Sequence, residues 1–377
     1  MSASRWDAVQ QMPSTSGAGA RHDDRTGARV VDPFGNDAAV ELCIDILHRA
    51  PSLRSLAQYT LGRSDFVVDT LETVTDEPVP AWEDVEGFGS DIYDSMVRLN
   101  ARLTGARTGA LIRVFASAGR GAVHWAEVSE SQHLVAFSLI PPDEPVPRDE
   151  PVPRDEPVPR DEPAPRDEPA PPDQQASAFE RQRHNDRAVT RLANQLREQL
   201  RQLPRDYGGW LAEERSATGT DESPDPAPAR TDDETAPVIP HVLNEGSLLA
   251  DLCREWLDPD DLHYASVFVG GEQIAVADIL HHRRLRPLAS GTTPPERRRF
   301  YAALGRDLDD YSTQVDRKVH DLIGGELFYL VFDVERGAVY FHSLGGKAYL
   351  VAVTLAQDRV ADTELKVRAL AERLQGQ

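Results

Sequence analysis

The chain has 377 residues, 40% of them apolar and 28% charged, with a formal net charge of −22, which leaves room for two or three domains with buried cores. No apolar run is long enough to cross a bilayer, and the first residues lack the basic start and apolar stretch of a signal peptide. Two cysteines, Cys43 and Cys253, make no disulfide framework in a chain of this size, so a cytoplasmic protein is expected.

The acidic balance speaks against nucleic-acid binding, which needs a basic footprint to displace counterions. Residues 143–172 hold ten acidic and four basic residues, and residues 217–235 hold six acidic residues and Arg230, so these stretches carry −11 of the −22. The remainder is only mildly acidic, which weakens a halophile reading. Only three of the 41 basic residues are lysines, which reads as the coding bias of a GC-rich genome.

Residues 1–36 show no periodicity and predict a disordered tail. Asn36 and Asp37 are good helix starters, Val40, Cys43, Ile44 and Leu47 follow at i, i+3, i+4, i+7, and Pro51 stops the helix. Stretches 56–61 and 66–71 flank Gly62-Arg63-Ser64-Asp65 and read as a hairpin. A second helix carries Val85, Phe88, Ile92, Met96, Leu99 and Leu103 and stops at Gly105. A strand at 110–116 follows, then RGAVHWAEVSESQHLVAFSL from Arg120, two alternating stretches around a polar break.

DEPVPR occurs three times from Asp143, followed by DEPAPR and DEPAPP. Proline at this density removes amide donors and fixes φ, so a stiff, solvated polyproline-II spacer is expected in preference to a ligand for a proline-reading domain. Its length would reach roughly 90 Å at about 3.1 Å per residue. Stretch 177–203, with Val189, Leu192, Leu196, Leu200 and Leu203 on one face, predicts a third helix, and 205–245 a disordered acidic linker.

The pattern then starts again. Leu249, Leu252, Cys253 and Trp256 repeat the helical stripe after Ser247, and stretches 264–269 and 273–280 form a hairpin around Gly270-Gly271. Asp278 stands seven residues beyond Gly271, as Asp69 does beyond Gly62. A helix carrying Phe300, Leu304, Leu308, Tyr311, Val315, Val319 and Leu322 ends at Gly324-Gly325. Strands at 327–334, 338–344 and 348–355 and a closing helix with Val360, Val367, Leu370 and Leu374 complete the chain. RGAVYFHSLGGKAYLVAVTL from Arg336 aligns without a gap on the stretch from Arg120, which argues for a duplicated unit.

The fold class expected is α+β, with two homologous domains in the order α-β-β-α-β-β-β-α. Each has a five-stranded antiparallel sheet, a long middle helix and terminal helices. Domain one covers 37–140 with its closing helix at 177–204, the spacer is 141–176, and domain two is 246–377. This order, with GARTGALIRVF and IGGELFYLVF running from middle helix into third strand, resembles the roadblock family, the dynein light-chain-like branch of the longin and profilin-like folds. The resemblance implies a dimerising scaffold that binds small GTPases and their partners, with the two units pairing within one chain or between chains. It implies no catalysis and no cofactor.

Tyr93, Val97 and Tyr301 lie off the core stripes of the middle helices and are candidates for a partner interface. Arg283, Arg284 and Arg286, beside His281-His282 and close to Arg297–Arg299, form the densest basic cluster. It could receive an acidic partner or a phosphate, and an exposed loop balancing an acidic surface is the plainer reading. His263, His320 and His342 lack metal-ligand spacing, so no metal is expected. Asp69 and Asp278 read as strand-end contacts and the cysteines as inert core residues. SLGGKAY fails the phosphate-loop spacing, because Phe341 stands where Gly is needed and Ala follows Lys347.

Taken together, the residues predict a non-enzymatic scaffold or regulator, with a small GTPase as the partner that the resemblance implies. A chaperone of the type III secretion class is the first alternative, and it would place three strands before the middle helix and two after. A ligand sensor or enzyme using the cleft between copies, with the 281–299 arginines on a phosphate, is the second.

Overall fold

The structure is a computed structural model that describes residues 20–23, 26–71, 82–139, 178–211, 238–244, 246–289 and 291–376. The DEPVPR array and the acidic stretch 217–235 lie outside the described residues. Strands β1 (Arg21–His22) and β2 (Arg29–Val31) precede helix α1 (Asp37–Arg49). The hairpin β3 (Leu53–Thr60) and β4 (Arg63–Asp69) leads to α2 (Trp82–Leu103), then to β5 (Leu111–Ala118), β6 (Gly121–Glu127), β7 (Gln132–Leu139) and α3 (Ala178–Gln199). The second half repeats this order: β8 (His241–Leu243), α4 (Leu248–Glu255), β9 (Tyr264–Val269), β10 (Glu272–Asp278), α5 (Pro294–Ile323), β11 (Leu327–Val334), β12 (Gly337–Gly345), β13 (Ala348–Thr354) and α6 (Val360–Gln375). Two strands of each half lie between α1 or α4 and the middle helix and three follow it, the reverse of the chaperone order.

Local chemistry explains the turns. Leu61-Gly62 and Gly270-Gly271 both sit at positive φ, the backbone that a tight two-residue hairpin demands. Both hairpins also carry a one-residue bulge, where Asp65 and Ile274 are the extra residues. Helix α5 starts on a capping box: the Thr293 side chain accepts from the backbone three residues on, and Glu296 reaches back to the Thr293 amide. Pro294 fits the first helical position because no partner is needed for its nitrogen.

All thirteen strands of the described residues form one antiparallel sheet, β1-β2-β4-β3-β7-β6-β5-β11-β12-β13-β9-β10-β8. In place of one five-stranded sheet in each unit, as expected from the sequence, the halves share a single sheet, joined where β5 pairs with β11, from Ala118 opposite Leu327 to Leu111 opposite Val334. Unpaired edges of two β-strands satisfy each other's N–H and C=O groups, and that supplies the physical reason. The sheet is also longer at its outer ends than the sequence suggested. The expected tail contributes β2, whose Val30 and Val31 are buried, and the expected linker contributes β8, which pairs with β10.

Helices α2 and α5 cover one face over a continuous core that runs across the seam, from Val67 and Val135 to Phe268 and Val351. The other face is covered by α1 and α3 in the first half and by α4 and α6 in the second. Helix α3 ends at Gln199, and Leu200 and Leu203 are exposed instead of continuing its apolar stripe. The chain then turns at Arg201, which has positive φ, and buries Tyr207 and Trp210.

Candidate partner-binding face

The middle helices lie antiparallel, as their contacts show: Lys318 Nζ donates to Asp91 (2.8 Å), the Tyr311 hydroxyl to Met96 Sδ (3.9 Å), and Arg102 pairs with Asp307. Beyond the end of α2, Arg107 donates to the Gly291 carbonyl (2.6 Å). The groove between the helices has a volume of about 250 Å³ and is lined by Arg98, Leu99, Arg102, Leu308, Tyr311 and Gln314, among others. Beside it Asp91, Asp94, Arg98, Arg317 and Lys318 outline a second depression of mixed charge. The apolar floor and alternating charged rim suit recognition of a protein surface.

The structure sorts the six candidate interface residues into three places. Tyr93 and Val97 come together on the flank of α2, at a notch of about 200 Å³ that also holds Trp125 and His133. Val97 is 50% exposed. Tyr93 is half-buried, with its ring stacked on His133 at 5.1 Å. Tyr301 is not on a surface: it is 1% exposed and packs against Tyr264 (5.2 Å) and Phe300. The buried face of a helix lying on a sheet is wider than one line of residues, so Tyr301 falls inside it beside Leu304. Burial pushes its phenol up to about 12.

The arginine cluster is dispersed. Arg283 and Arg286 are exposed on and beside a single turn, Arg283–Leu285, and Arg284 pairs with Asp260. Arg297 is buried and donates to the Leu288 carbonyl (3.1 Å), and Arg298 grips Asp278 through two hydrogen bonds of 2.6 and 2.8 Å. Asp278 also accepts the Leu280 amide (3.1 Å), as Asp69 accepts that of Leu71 (3.2 Å). Both aspartates thus cap matching strand ends. Gly345 and Gly346, at positive φ, turn β12 into β13.

A buried ionic cluster went unseen in the sequence because its members are far apart in the chain. Arg113 of β5 lies opposite Asp333 of β11 across the seam, with Nε 2.8 Å from the carboxylate, and it also pairs with Asp186 of α3. Ile112 is the extra residue of a bulge here, which turns Arg113 toward the α3 and α6 face. Asp186 is 3.2 Å from His124 Nδ1, and Glu364 of α6 is buried nearby. Burial, reinforced by the neighbouring carboxylates and opposed by Arg113, pushes Asp333 and Glu364 up to about 7. The pull of Arg113 and His124 outweighs the burial of Asp186 and holds its carboxyl below the usual range.

Cys43 and Cys253 are buried on helix faces, and burial raises both thiols, Cys253 to about 12. Among the described residues no group of three or more His, Cys, Asp and Glu is placed to hold a metal, and no helix is long and apolar enough to cross a membrane.

No family model matches the chain, and no curated protein matches it. Among the solved structures similar to part of it are two described as MglB. One is described as MglB with tetrameric arrangement, at 21% identity and a TM-score of 0.27, covering 34% of this chain and 85% of that one. The other is the gliding protein mglB from Thermus thermophilus, at 17% identity and a TM-score of 0.27, covering 34% of this chain and 90% of that one.

Proposed function

We propose that the chain is a non-enzymatic scaffold built from two homologous roadblock-like units, and that it receives a small GTPase or a regulator of one on the outward face of α2 and α5. The observation that carries this reading is the pairing of the halves, edge strand to edge strand and middle helix to middle helix. That pairing makes one platform from two units, as the resemblance implies for a family whose members work as dimers. Arg98 and Gln314 stand exposed on it and Val97 on the adjoining flank of α2, and we place the protein in the cytoplasm with no cofactor.

The test is titration of the purified chain with small GTPases of its own host, each loaded with GDP or with a non-hydrolysable GTP analogue. Val97→Asp combined with Arg98→Glu changes two exposed side chains and should leave the melting temperature within about 2 °C. The expected result is saturable binding in one nucleotide state, weakened at least about tenfold, or about 1.4 kcal/mol, by the double substitution. Absence of binding in both states across the panel would reject the reading.

A further inference from the structure

On the opposite side of the molecule, a groove of about 610 Å³ runs between the end of α1 and the start of α3, lined by Arg49, Ser52, Arg181, Arg183, His184 and Arg187. Four arginines on one groove are a strong local departure in a chain of net charge −22. Two of them rest on an aromatic ring: the Arg187 and Arg183 guanidinium carbons lie 4.5 and 5.2 Å from the centre of Trp210. Glu180 sits at the mouth of the groove, and Glu364 and Arg368 of α6 act on Arg183 from the other half. Asp186, by contrast, is turned inward to Arg113.

Both ends of the array segment lie beside this groove. Leu139, the last residue of β7, donates its amide to the Ser52 carbonyl (3.0 Å), and the Ser52 hydroxyl donates to Asn185 of α3 (3.0 Å). The next described residue after Leu139 is Ala178, the first of α3. The chain between them holds the array, with ten acidic and four basic residues. An acidic chain thus leaves and re-enters the fold at the rims of an arginine-lined groove. Tethering at both ends raises the effective concentration of its carboxylates there to about the millimolar range, so weak individual pairs suffice. Arginine suits this role because its planar fork meets a carboxylate with two parallel hydrogen bonds.

We propose that the groove binds the acidic residues of the array closest to the fold, Asp143 and Glu144 at one end and Asp167, Glu168 and Asp173 at the other. The array would then be held back along α3 instead of standing out as a spacer. This inference is independent of the GTPase reading, because it concerns the opposite face of the sheet.

The experiment uses the full chain with a nitroxide label on Ala170→Cys, read by electron paramagnetic resonance, and a label on Ala229→Cys in the second acidic stretch as reference. Cys43 and Cys253 are buried and stay unlabelled under native conditions. At about 20 mM salt the Ala170→Cys label is expected to tumble at least about threefold more slowly than the reference, and about 0.5 M salt should remove the difference. Arg49→Glu with Arg181→Glu should mobilise it at low salt, with a melt to show that the fold persists. Asp143→Asn, Glu144→Gln, Asp167→Asn, Glu168→Gln and Asp173→Asn together alter no described residue and should do the same. A label as mobile as the reference at low salt, or one indifferent to both sets of substitutions, overturns the proposal. Mobilisation by the groove variant alone overturns it too, because the groove would then hold the array through something other than these carboxylates.

Discussion

Glu364 shows how a single residue at the seam ties stability to pH. Its carboxyl is raised from its ordinary value to about 7, so the folded chain holds that proton more tightly than the unfolded chain does. The stability linked to it is fully present below about pH 4.5 and is lost as the pH rises through about 7. Asp333, also raised to about 7, acts with the same sign. His133 and His263 act with the opposite sign, because burial lowers both to about 4, so their linked stability is lost as the pH falls from about 6.5 to about 4. Glu364→Gln should therefore unfold at a higher urea concentration relative to wild type at pH 8 than at pH 5.5. Equal offsets at the two pH values would show that Glu364 is ionised in the folded chain at both. None of this was legible in the sequence, where Arg113, Asp186, Asp333 and Glu364 belong to four different elements.

At the scale of elements, the same contact is built twice. Gly89 of α2 lies against the Tyr59 ring, and Gly305 of α5 against the Phe268 ring; an added Cβ would come within 1.9 and 2.2 Å. The rings themselves stack on matching partners, Tyr59 on His133 at 5.4 Å and Phe268 on Tyr349 at 5.2 Å. Each middle helix therefore rests on its sheet through a glycine over an aromatic pair. Gly305→Ala should destabilise by about 1–3 kcal/mol, because the ring has to leave its stack. Gly87→Ala, on the exposed side of α2 with open space around it, should stabilise by up to about 1 kcal/mol through helix propensity. Thermal melts of both variants check the pair, and destabilisation by Gly87→Ala would show that α2 packs differently. The helices and hairpins were legible from apolar spacing and glycine turns. Strands β2 and β8 were not, because three residues are too few to show a period.

For the whole molecule, the halves share structure that neither completes alone. The core beneath α2 and α5 is continuous across the seam, and Phe115 of the first half packs in the second-half core, edge-on to Tyr329 at 6.2 Å. The segment after α3 adds to this: Gln357 donates to the Asp206 carbonyl (2.7 Å), and the Ala361 amide to that of Gly208 (2.9 Å). Amides of β7 and β13, one in each half, should therefore exchange through the same global opening, with equal free energies and equal denaturant dependence. Exchange of β13 at a lower opening energy than β7 would mean that the halves unfold separately.

The repeat of RGAV foretold one relation across this distance. Arg120 lies in the turn from β5 to β6, and Arg336 in the turn from β11 to β12, so the two copies stand at equivalent corners. The sequence by itself determined the order of elements in each half, because apolar periodicity, proline and glycine act over a few neighbouring residues. Only the tertiary structure decided that the halves share one sheet, that Tyr301 faces inward, and that Arg113 meets Asp333. Those outcomes depend on which unpaired strand edge and which apolar helix face find each other, and local spacing carries no record of that choice.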